Sequence, residues 1–550
     1  MATGMVRKIL IFQKRSQGAE KSRTVYATPW ARWLARIGVH GLACFGLCVC
    51  VVLLGPPRAW GENFRRIIVF QNGTPVLVQK EIVVKSGSTL LHILPLVNAV
   101  VVKLPMEQTQ QALTTLQSRP EVVQIHDDPA VSAEGLVASE GVEGTLITPI
   151  NPPLGTPRWN FAQIDFDLGK GKYRRRGVRI AVLDTGIDYL HPDLAARVER
   201  CYNARAGEPE TDCMDYNGHG THVAGIIAAS EIQPDGKPGK LPGMAPVARL
   251  YAVRVLDNAG GGFVSDVING LSWVYNHPEI RLVNMSLGFY KANPYPLLQR
   301  IVTMLYEAGV IMVASAGNYR ADCLAIVHQV AEGEGGDGEG GDTLAVLDTN
   351  GQPCNRRVKF PARYPETIAV AATDGDRNIT DYSIRGSEVD VVAPGGTRVH
   401  PVLSTTTSQR LPTGGSTCVF GASVSVVTAG ESGASQVMAA GEGGDSQVVA
   451  TGEGGDCSAA AGEGGDSQRV AAGEGGDGQV FYGEGSGTSQ AAAHVTGLIA
   501  NMLIENPMLT PDDVRMILYA TAVDLNVSTL SQGAGLIDVD EAVDLGELWR

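Results

Sequence analysis

Three residues that could form a catalytic triad occur along the chain in the order Asp184, His219 and Ser489. Each has a glycine within two positions. A serine hydroxyl is a weak nucleophile near neutral pH and needs a base within hydrogen-bonding distance. A histidine can take the serine proton and pass it to a leaving group, and a carboxylate fixes the tautomer of the imidazole and stabilises its protonated form. Together the three residues could cleave a bond through nucleophilic attack by Ser489.

The segments around these residues read RIAVLDTGID, NGHGTHVAG and GTSQAAAHVTG. In this order they resemble the subtilisin-like serine proteases (subtilases) and differ from the orders found in chymotrypsin and α/β-hydrolases. The resemblance implies a serine endopeptidase in which Asp184 orients the imidazole, His219 is the general base and Ser489 is the nucleophile. Where the family has Met and Pro after its serine, this chain has Gln490 and Ala493, neither of which carries chemistry.

The resemblance also assigns an oxyanion donor and a substrate-binding surface. Asn318, at the end of VASAGN, matches the family's oxyanion asparagine, and loss of one such donor costs about 10²–10³ in turnover. In the family, an extended peptide lies between two strand edges, which is a form of strand addition. The matching residues here are Gly261, Gly262, Ser286, Leu287 and Gly288.

Each site residue also has a purely structural interpretation. Ser489 could cap a helix, Asp184 could be a turn residue in Asp-Thr-Gly, and Asn318 could be an ordinary loop asparagine. His494 lies on another face of the helix and is interpreted as structural. Other candidates for base and carboxylate lie close in sequence to the first choices, namely His222, Asp188 and Asp193.

Apolar β-branched runs alternate with amphipathic helical stretches from about Trp159 onward. This alternation predicts an α/β fold with a doubly wound, mainly parallel sheet covered by helices on both faces. Sites in such sheets lie at the carboxyl ends of the strands, and Asp184 follows directly on RIAVL. The predicted strands are RIAVLDT, RLYAVRVL, RLVNMSL, VIMVASAG and TIAVAAT.

The chain divides into a signal peptide (1–61), a small α+β unit (62–130), a linker (131–157) and a catalytic domain (158–550). Arg65–Phe70, Asn98–Leu104 and Glu121–Asp128 read as strands and Met106–Gln117 reads as a helix. The unit resembles the subtilase propeptide, which implies an intramolecular chaperone and a temporary inhibitor cut off in the linker. The alternative is a permanent accessory domain.

A basic N-terminal region precedes an apolar run, Val39–Leu54, and the small-x-small sequence Ala59-Trp60-Gly61. These features predict a cleaved secretory signal peptide and an extracellular protein; an uncleaved signal anchor and a lipoprotein attached through Cys44 are the alternatives. Of nine cysteines, three fall in the predicted signal. The others indicate disulfides, with Cys201–Cys213 and Cys323–Cys354 as local pairs.

The sequence GEGGD recurs at Gly333, Gly338, Gly441, Gly452, Gly462 and Gly473. Glycine offers no side chain to bury and the carboxylates are solvated, so the insertions at about 322–357 and 421–485 are predicted to be disordered. A calcium-binding repeat is the alternative. No cofactor is required for the predicted chemistry, although the resemblance implies a structural calcium ion to which Asp193 would be a ligand.

A net charge of −14 and a pI near 5.3 argue against nucleic acid as a partner. The expected partners are protein or peptide substrates and the propeptide, with the protein a monomer. An inactive subtilase-like scaffold that binds through the repeats is the rival function, and an esterase is disfavoured because Ser489 lacks a G-x-S-x-G context. The specificity pocket should follow Asn318, where no clear acidic residue is seen, so broad or apolar specificity is expected.

Overall fold

The computed structural model describes residues 64–133, 148–150, 152–167, 177–319, 357–407 and 482–549, together with four short strands between 419 and 436. The predicted signal peptide, the Cys323–Cys354 pair and the GEGGD repeats lie outside the described residues. Within the described ranges, no helix is long and apolar enough to cross a membrane.

The N-terminal unit is a four-stranded antiparallel sheet with two helices, as the α+β prediction required. The sheet order is β2-β3-β1-β4. Two 3-10 turns, Pro95–Val97 and Met106–Gln108, connect its elements. The elements are β1 (Arg65–Phe70), α1 (Val76–Lys85), β2 (Thr89–Leu94), β3 (Ala99–Lys103), α2 (Thr109–Gln117) and β4 (Val122–Asp127).

The two faces of this small sheet pack against different partners. On one face, alternate residues such as Ile68 and Val100 form a small core with Ile82 of α1 and Leu116 of α2. On the other face, residues such as Ile67 are buried in the large core of the remaining chain. Because successive strand residues point to opposite faces, the apolar run IIVF at the end of RRIIVF fits a strand covered on both sides.

A seven-stranded sheet forms the centre of the larger part, in the order β15-β14-β13-β11-β7-β9-β8. Every pairing in it is parallel, which confirms the predicted α/β class. The order reverses between β7 and β11, and such a switch point opens a crevice at the carboxyl ends of the strands. The strands are β7 (Arg179–Asp184), β8 (Val198–Asn203), β9 (Arg249–Arg254), β11 (Ile280–Met285), β13 (Ile311–Ser315), β14 (Thr367–Thr373) and β15 (Val391–Pro394).

The helices that cover this sheet include one that is buried almost throughout. It runs from Thr488 to Glu505 and every residue up to Ile504 is buried. Small side chains at Ala491, Ala492 and Ala493 let its backbone approach the sheet closely. The helices are α3 (Trp159–Gln163), α4 (His219–Ala228), α5 (Val264–Tyr275), α6 (Pro296–Glu307), α7 (Thr488–Glu505), α8 (Pro511–Thr521), α9 (Thr529–Gln532) and α10 (Val539–Leu548).

Four small sheets refine the predicted boundaries. β6 (Thr148–Ile150), β16 (Val402–Thr405) and β21 (Tyr482–Gly485) pair in the order β16-β21-β6. The last four residues of the predicted 421–485 insertion therefore form an ordered strand, because both of its edges are paired. Two antiparallel strand pairs lie in this range or just before it. They are β17 (Val419–Phe420) with β18 (Ser423–Val424), and β19 (Thr428–Ala429) with β20 (Ser435–Gln436).

The fourth small sheet connects the two parts of the chain. β5 (Ala130–Ala133) lies between β10 (Gly261–Phe263) and β12 (Leu287–Gly288). The predicted domain boundary at residue 130 thus falls at the start of a strand. Elsewhere, the sulfur atoms of Cys201 and Cys213 form a disulfide, which is the first of the two predicted pairs.

Candidate active site

Asp184 and His219 meet at the carboxyl edge of the parallel sheet. Asp184 is the last residue of β7 and His219 is the first residue of α4. His219 Nδ1 lies 2.8 Å from Asp184 Oδ1, and both side chains are fully buried. A carboxylate can only accept here, so Nδ1 carries the proton and Nε2 is left as the basic nitrogen. Asp184 Oδ1 also accepts the backbone N–H of Thr185 at 2.7 Å.

Two glycines permit this approach. Gly218, which precedes α4, has φ of +105°, a conformation that favours glycine. A Cβ on Gly220 would stand 2.1 Å from the carbonyl oxygen of Gly186 and 3.1 Å from the Asp184 side chain. The turn after β7 and the first turn of α4 can therefore touch only while residue 220 has no side chain.

Asp215, which sequence reasoning missed, organises both of these turns. Its Oδ1 accepts the Thr185 hydroxyl (2.9 Å) and the backbone N–H groups of Asn217 (2.9 Å) and Gly218 (2.8 Å). Its Oδ2 accepts the backbone N–H (2.9 Å) and the hydroxyl (2.6 Å) of Thr221. The side chain is fully buried, so it ties the residues next to Asp184 and His219 into one unit. In sequence, Asp215 stands two residues before Asn217-Gly218 and the start of α4, and such an aspartate is common in turns and carries no catalytic signal by itself.

Ser489 is the second residue of the buried helix α7. Its hydroxyl donates to the carbonyl oxygen of Ser286 at 3.1 Å, and the hydroxyl of Ser286 donates to the carbonyl oxygen of Ser489 at 3.0 Å. The next residue, Gln490, lies 3.4 Å from His222 Nδ1 through its amide nitrogen. These contacts bring the N-terminal ends of α4 and α7 together, with Ser489 beside the extension of β11.

Asn318 is fixed to the residue before Ser489. Its Oδ1 accepts the backbone N–H (3.0 Å) and the hydroxyl (2.9 Å) of Thr488. Because the amide oxygen is held in this way, the Nδ2 group points away from Thr488. The side chain is 7% exposed. The sequence-predicted donor therefore lies at the start of α7, and Thr488, which orients it, was not foreseen.

Two other histidines near the site, His222 and His494, contact structural groups of the chain and are not placed to act as the base. His222 Nε2 lies within hydrogen-bonding distance of two carbonyl oxygens, those of Val402 (3.2 Å) and Gly483 (3.1 Å). Burial lowers the pKa of His222 to about 3, with a further contribution from His219. His494 lies between the carbonyl of Gln490 and the amide of Asn160, and burial lowers its pKa to about 3 as well. Both imidazoles are therefore neutral structural groups near pH 7.

The predicted substrate-binding edges are paired with the chain's own strand β5. On one side, Gly261 and Gly262 of β10 pair antiparallel with Ser132 and Val131. On the other side, Leu287 and Gly288 of β12 pair antiparallel with Ala133 and Ser132. Val131 is buried and Ser132 is exposed. These pairings show that β5 adds to both edges as a peptide would in strand addition.

Charged residues hold the N-terminal unit next to β5. Arg65 Nε lies 2.8 Å from Asp128 Oδ2, and Arg65 Nη2 donates to the Ser265 hydroxyl at 2.7 Å. Asp266 Oδ1 lies 3.3 Å from Arg65 Nη2 and 3.1 Å from His92 Nε2. Burial raises the pKa of Asp128, against the influence of Arg65 and Ser265. The start of helix α5 is thus a docking point for the N-terminal unit.

Both carboxylate oxygens of the predicted calcium ligand Asp193 accept hydrogen bonds. Its Oδ1 accepts from the Gln233 amide at 2.7 Å and its Oδ2 accepts from the Tyr482 hydroxyl at 2.7 Å. Calcium takes six to eight oxygen ligands, whereas hydrogen-bond donors face both oxygens of this carboxylate. In the described ranges no group of three or more His, Cys, Asp or Glu side chains could hold a metal ion. Calcium binding stays an untested prediction.

Comparisons with known proteins identify the same region. The sequence model of the subtilase family matches residues 175–536, which is about two-thirds of the chain. Subtilisin Savinase from Lederbergia lenta is 38% identical over 219 residues, covering 40% of this chain and 64% of that protein. Subtilisin E from Bacillus subtilis is 35% identical over 223 residues, and the match spans 40% of this chain and only about half (48%) of that protein.

Solved structures show a similar fold at low sequence identity. Fervidolysin from Fervidobacterium pennivorans, described as a keratinolytic enzyme related to subtilisin, has a TM-score of 0.55 at 22% identity, over 87% of this chain and 60% of its own. The epidermin leader peptide processing serine protease of Staphylococcus aureus has a TM-score of 0.57 at 17% identity, over 88% and 100% of the two chains. These likenesses concern the fold.

Proposed function

Because this chain belongs to the subtilase family, we propose that it is a serine endopeptidase that carries an inhibitory propeptide. The observation that carries the proposal is the 2.8 Å contact between Asp184 and His219 at the same sheet edge as the helix that begins with Thr488 and Ser489. The rival function, an inactive scaffold, does not require a buried carboxylate to orient the imidazole.

In the proposed reaction, the Ser489 hydroxyl turns from the Ser286 carbonyl toward His219 Nε2 and attacks the carbonyl carbon of the substrate. His219 takes the serine proton and gives it to the leaving amine, while Asp184 stabilises the protonated imidazole. The Nδ2 group of Asn318 and backbone N–H groups at the start of α7 stabilise the oxyanion. In the second half of the reaction, His219 takes a proton from a water molecule, which attacks the acyl carbon. The bond between that carbon and the Ser489 oxygen then breaks, and His219 returns the proton to Ser489.

We further propose that residues up to Ala133 act as the inhibitory propeptide. Support comes from β5, which pairs with both β10 and β12 and so blocks the edges that a substrate would need. Arg65 and Asp128 strengthen this docking. A permanent accessory domain is the alternative, and it would remain covalently attached in the active protein.

Labelling with a fluorophosphonate probe tests the activity. We expect a covalent adduct on Ser489 in the processed protein and none in the Ser489→Ala variant. Ser387→Ala, which removes an exposed serine hydroxyl, is the matched control and should label normally. Normal folding of the wild type without any adduct would contradict the proposal and favour the scaffold.

Export is proposed from the N-terminal sequence, and the Cys201–Cys213 disulfide is compatible with an oxidising compartment. Expression of the full chain with its first 61 residues, followed by analysis of cell and medium fractions, tests this. Recovery of mature protein only inside the cytoplasm would contradict export.

A further inference from the structure

Two neighbouring strands of the large sheet stop pairing beside the start of α7, and their extensions leave a gap between them. The last register pair of β11 and β13 is Met285 with Ala314. Beyond it, the dipeptide Lys359-Phe360 forms backbone hydrogen bonds with both segments. Lys359 N–H donates to the Ala316 carbonyl at 3.0 Å, and Phe360 exchanges two backbone hydrogen bonds with Phe289 (2.9 and 3.0 Å). This dipeptide therefore closes the far end of the gap between the strand extensions.

The side chain of Lys359 lies along one wall of this gap. Its Cγ and Cδ atoms stand 3.0 Å from the place that a Cβ on Gly317 would take. Gly317 in turn donates its backbone N–H to the Thr488 hydroxyl at 3.3 Å, directly before Ser489. Lys359 is half-buried, and a lysine stem commonly packs on the protein while its ammonium group extends from it. The stem of a cationic side chain thus lies against Gly317, the residue before Asn318.

The register of β5 defines which residue of a bound peptide faces the nucleophile. Ser132 pairs with Gly288 and Ala133 pairs with Leu287. In a peptide bound in this register, the residue that follows the one opposite Leu287 stands opposite Ser286. The carbonyl of Ser286 accepts from the Ser489 hydroxyl at 3.1 Å, so this next residue is the one whose carbonyl carbon Ser489 can attack.

In this chain, the residue that follows Ala133 in sequence is Glu134, and Gly135 comes next; both lie outside the described residues. The dipeptide Glu-Gly recurs in every copy of GEGGD in the two predicted insertions. A lysine in the wall of this gap and a glutamate at the attacked position are complementary in charge.

We propose that Lys359 selects peptide bonds that follow an acidic residue, glutamate above all. The proposal rests on the proposed endopeptidase function and replaces the sequence-based expectation of broad or apolar specificity. The maturation cut then falls between Glu134 and Gly135. Its C–N bond is hydrolysed, so that Glu134 gains the carboxylate and Gly135 becomes the free amino terminus. The Glu-Gly bonds of the GEGGD repeats belong to the same substrate class.

The size of the preference for glutamate over glutamine follows from the charges of Lys359 and the substrate glutamate. A hydrogen bond between the lysine ammonium and a glutamate carboxylate favours glutamate over the uncharged isostere glutamine by about ten- to a hundredfold. A lysine at the same substrate position meets a like charge, which disfavours it. Because the ammonium ends a long flexible stem, it can follow the carboxylate but cannot become an acceptor for a cationic side chain.

The test uses processed enzyme and four hexapeptides of the form Val-Ser-Ala-X-Gly-Leu, with X as Glu, Gln, Leu or Lys. We expect kcat/KM for the Glu peptide to exceed that for the Gln peptide by about ten- to a hundredfold. Lys359→Met should bring the Glu peptide to the level of the Gln peptide, and Lys359→Glu should make the Lys peptide the better substrate. Lys237→Gln, which removes a lysine whose side chain is 77% exposed, should keep the wild-type preference.

The outcomes separate this proposal from the proposed function. Equal rates for the Glu and Gln peptides, or faster cleavage of the Leu peptide by the wild type, would overturn the role of Lys359 while leaving the endopeptidase in place. A failure to cleave any peptide, together with no fluorophosphonate adduct, would overturn the endopeptidase itself. Sequencing of the mature amino terminus gives a second readout that needs no variant, since a start at Gly135 supports the proposal and a start elsewhere contradicts it.

Discussion

Asp128 accepts both the backbone N–H (2.9 Å) and the hydroxyl (2.7 Å) of Ser265, the second residue of helix α5. Asp128 stands two residues before β5 and also pairs with Arg65 of β1. The buried carboxylate of Asp128 therefore joins the N-terminal unit to the start of α5, directly before β5.

Removal of the Arg65 side chain should weaken the pairing of β5 with β10 and β12. In the Ser489→Ala chain, which is expected to remain uncut, Arg65→Ala removes a charged partner of Asp128 at a cost of about 1.5–3 kcal/mol. Amide hydrogen exchange at Val131 and Ser132 should then become roughly tenfold faster or more. Lys103→Ala, at an exposed lysine of β3, is the control. Unchanged exchange at β5 in Arg65→Ala would show that the docking point does not hold the strand.

Asp215 should act as a positioning residue for His219. Asp215→Asn turns one acceptor oxygen into a donor that faces N–H or O–H groups, and we expect a loss of about 2–4 kcal/mol in unfolding free energy. Because Gly218 and Thr185 then lose their anchor, kcat should fall by at least tenfold and the acid limb of the pH profile of kcat/KM should shift.

The comparison of kcat with urea unfolding at the same temperature separates positioning from bulk stability. Thr221→Val removes only one of the five hydrogen bonds to Asp215 and should have the smaller effect on both quantities. A stable Asp215→Asn enzyme with unaltered kcat and pH profile would rule out the positioning role.

The absence of a side chain at Gly220 should be essential for the Asp184–His219 contact. In Gly220→Ala, the new Cβ would collide with the Gly186 carbonyl at 2.1 Å, so one of the two turns must shift. We expect a large loss of kcat together with a lower Tm. Gly546→Ala is the matched control, because its Cβ would meet only ordinary contacts of 3.6 Å or more and alanine favours helix. Full activity of Gly220→Ala would contradict the close approach.

Acid should destabilise the fold through two buried histidines. Burial lowers the pKa of both His222 and His494 from about 6.5 to about 3, so the unfolded chain binds more protons between these values. Stability must then fall as the pH falls below about 6.5, by about 1.4 kcal/mol per pH unit for each histidine.

A glutamine at position 494 tests this assignment, since it can donate to the Gln490 carbonyl and accept from Asn160. In urea unfolding of the Ser489→Ala background between pH 6 and pH 4, His494→Gln should reduce the pH slope by about one proton. An identical slope in the two proteins would mean that His494 does not titrate on unfolding.

The sequence predicts most of the central sheet because its strands are continuous apolar runs. Thr367–Thr373 is observed with the predicted bounds, and Arg65–Phe70 likewise. Val198–Asn203 has the mixed sequence VERCYN, which carries no such pattern, and it becomes a strand only through its pairing with β9. Local sequence does not predict the strand Ala130–Ala133, which crosses the predicted boundary at residue 130, because its pairing partners lie far away in sequence.

The site residues divide in the same way, into those that local sequence reveals and those that only distant contacts reveal. Asp184, His219, Ser489 and Asn318 could be proposed from local motifs, since each sits in a short segment with characteristic glycines. Asp215 could not, because its importance depends on Thr185 and Thr221 turning toward one point. Lys359 lies 41 positions after Asn318, with the first GEGGD insertion between them, so only the backbone hydrogen bond to Ala316 reveals that it borders the same site.

The central claim is that Ser489 cleaves peptide bonds with help from His219 and Asp184. The most direct measurement is the rate at which purified protein cleaves an unfolded protein substrate, compared between the wild type and Ser489→Ala. The account predicts sustained cleavage by the wild type and a loss of at least about a thousandfold in the variant. Equal cleavage by the two proteins would contradict it.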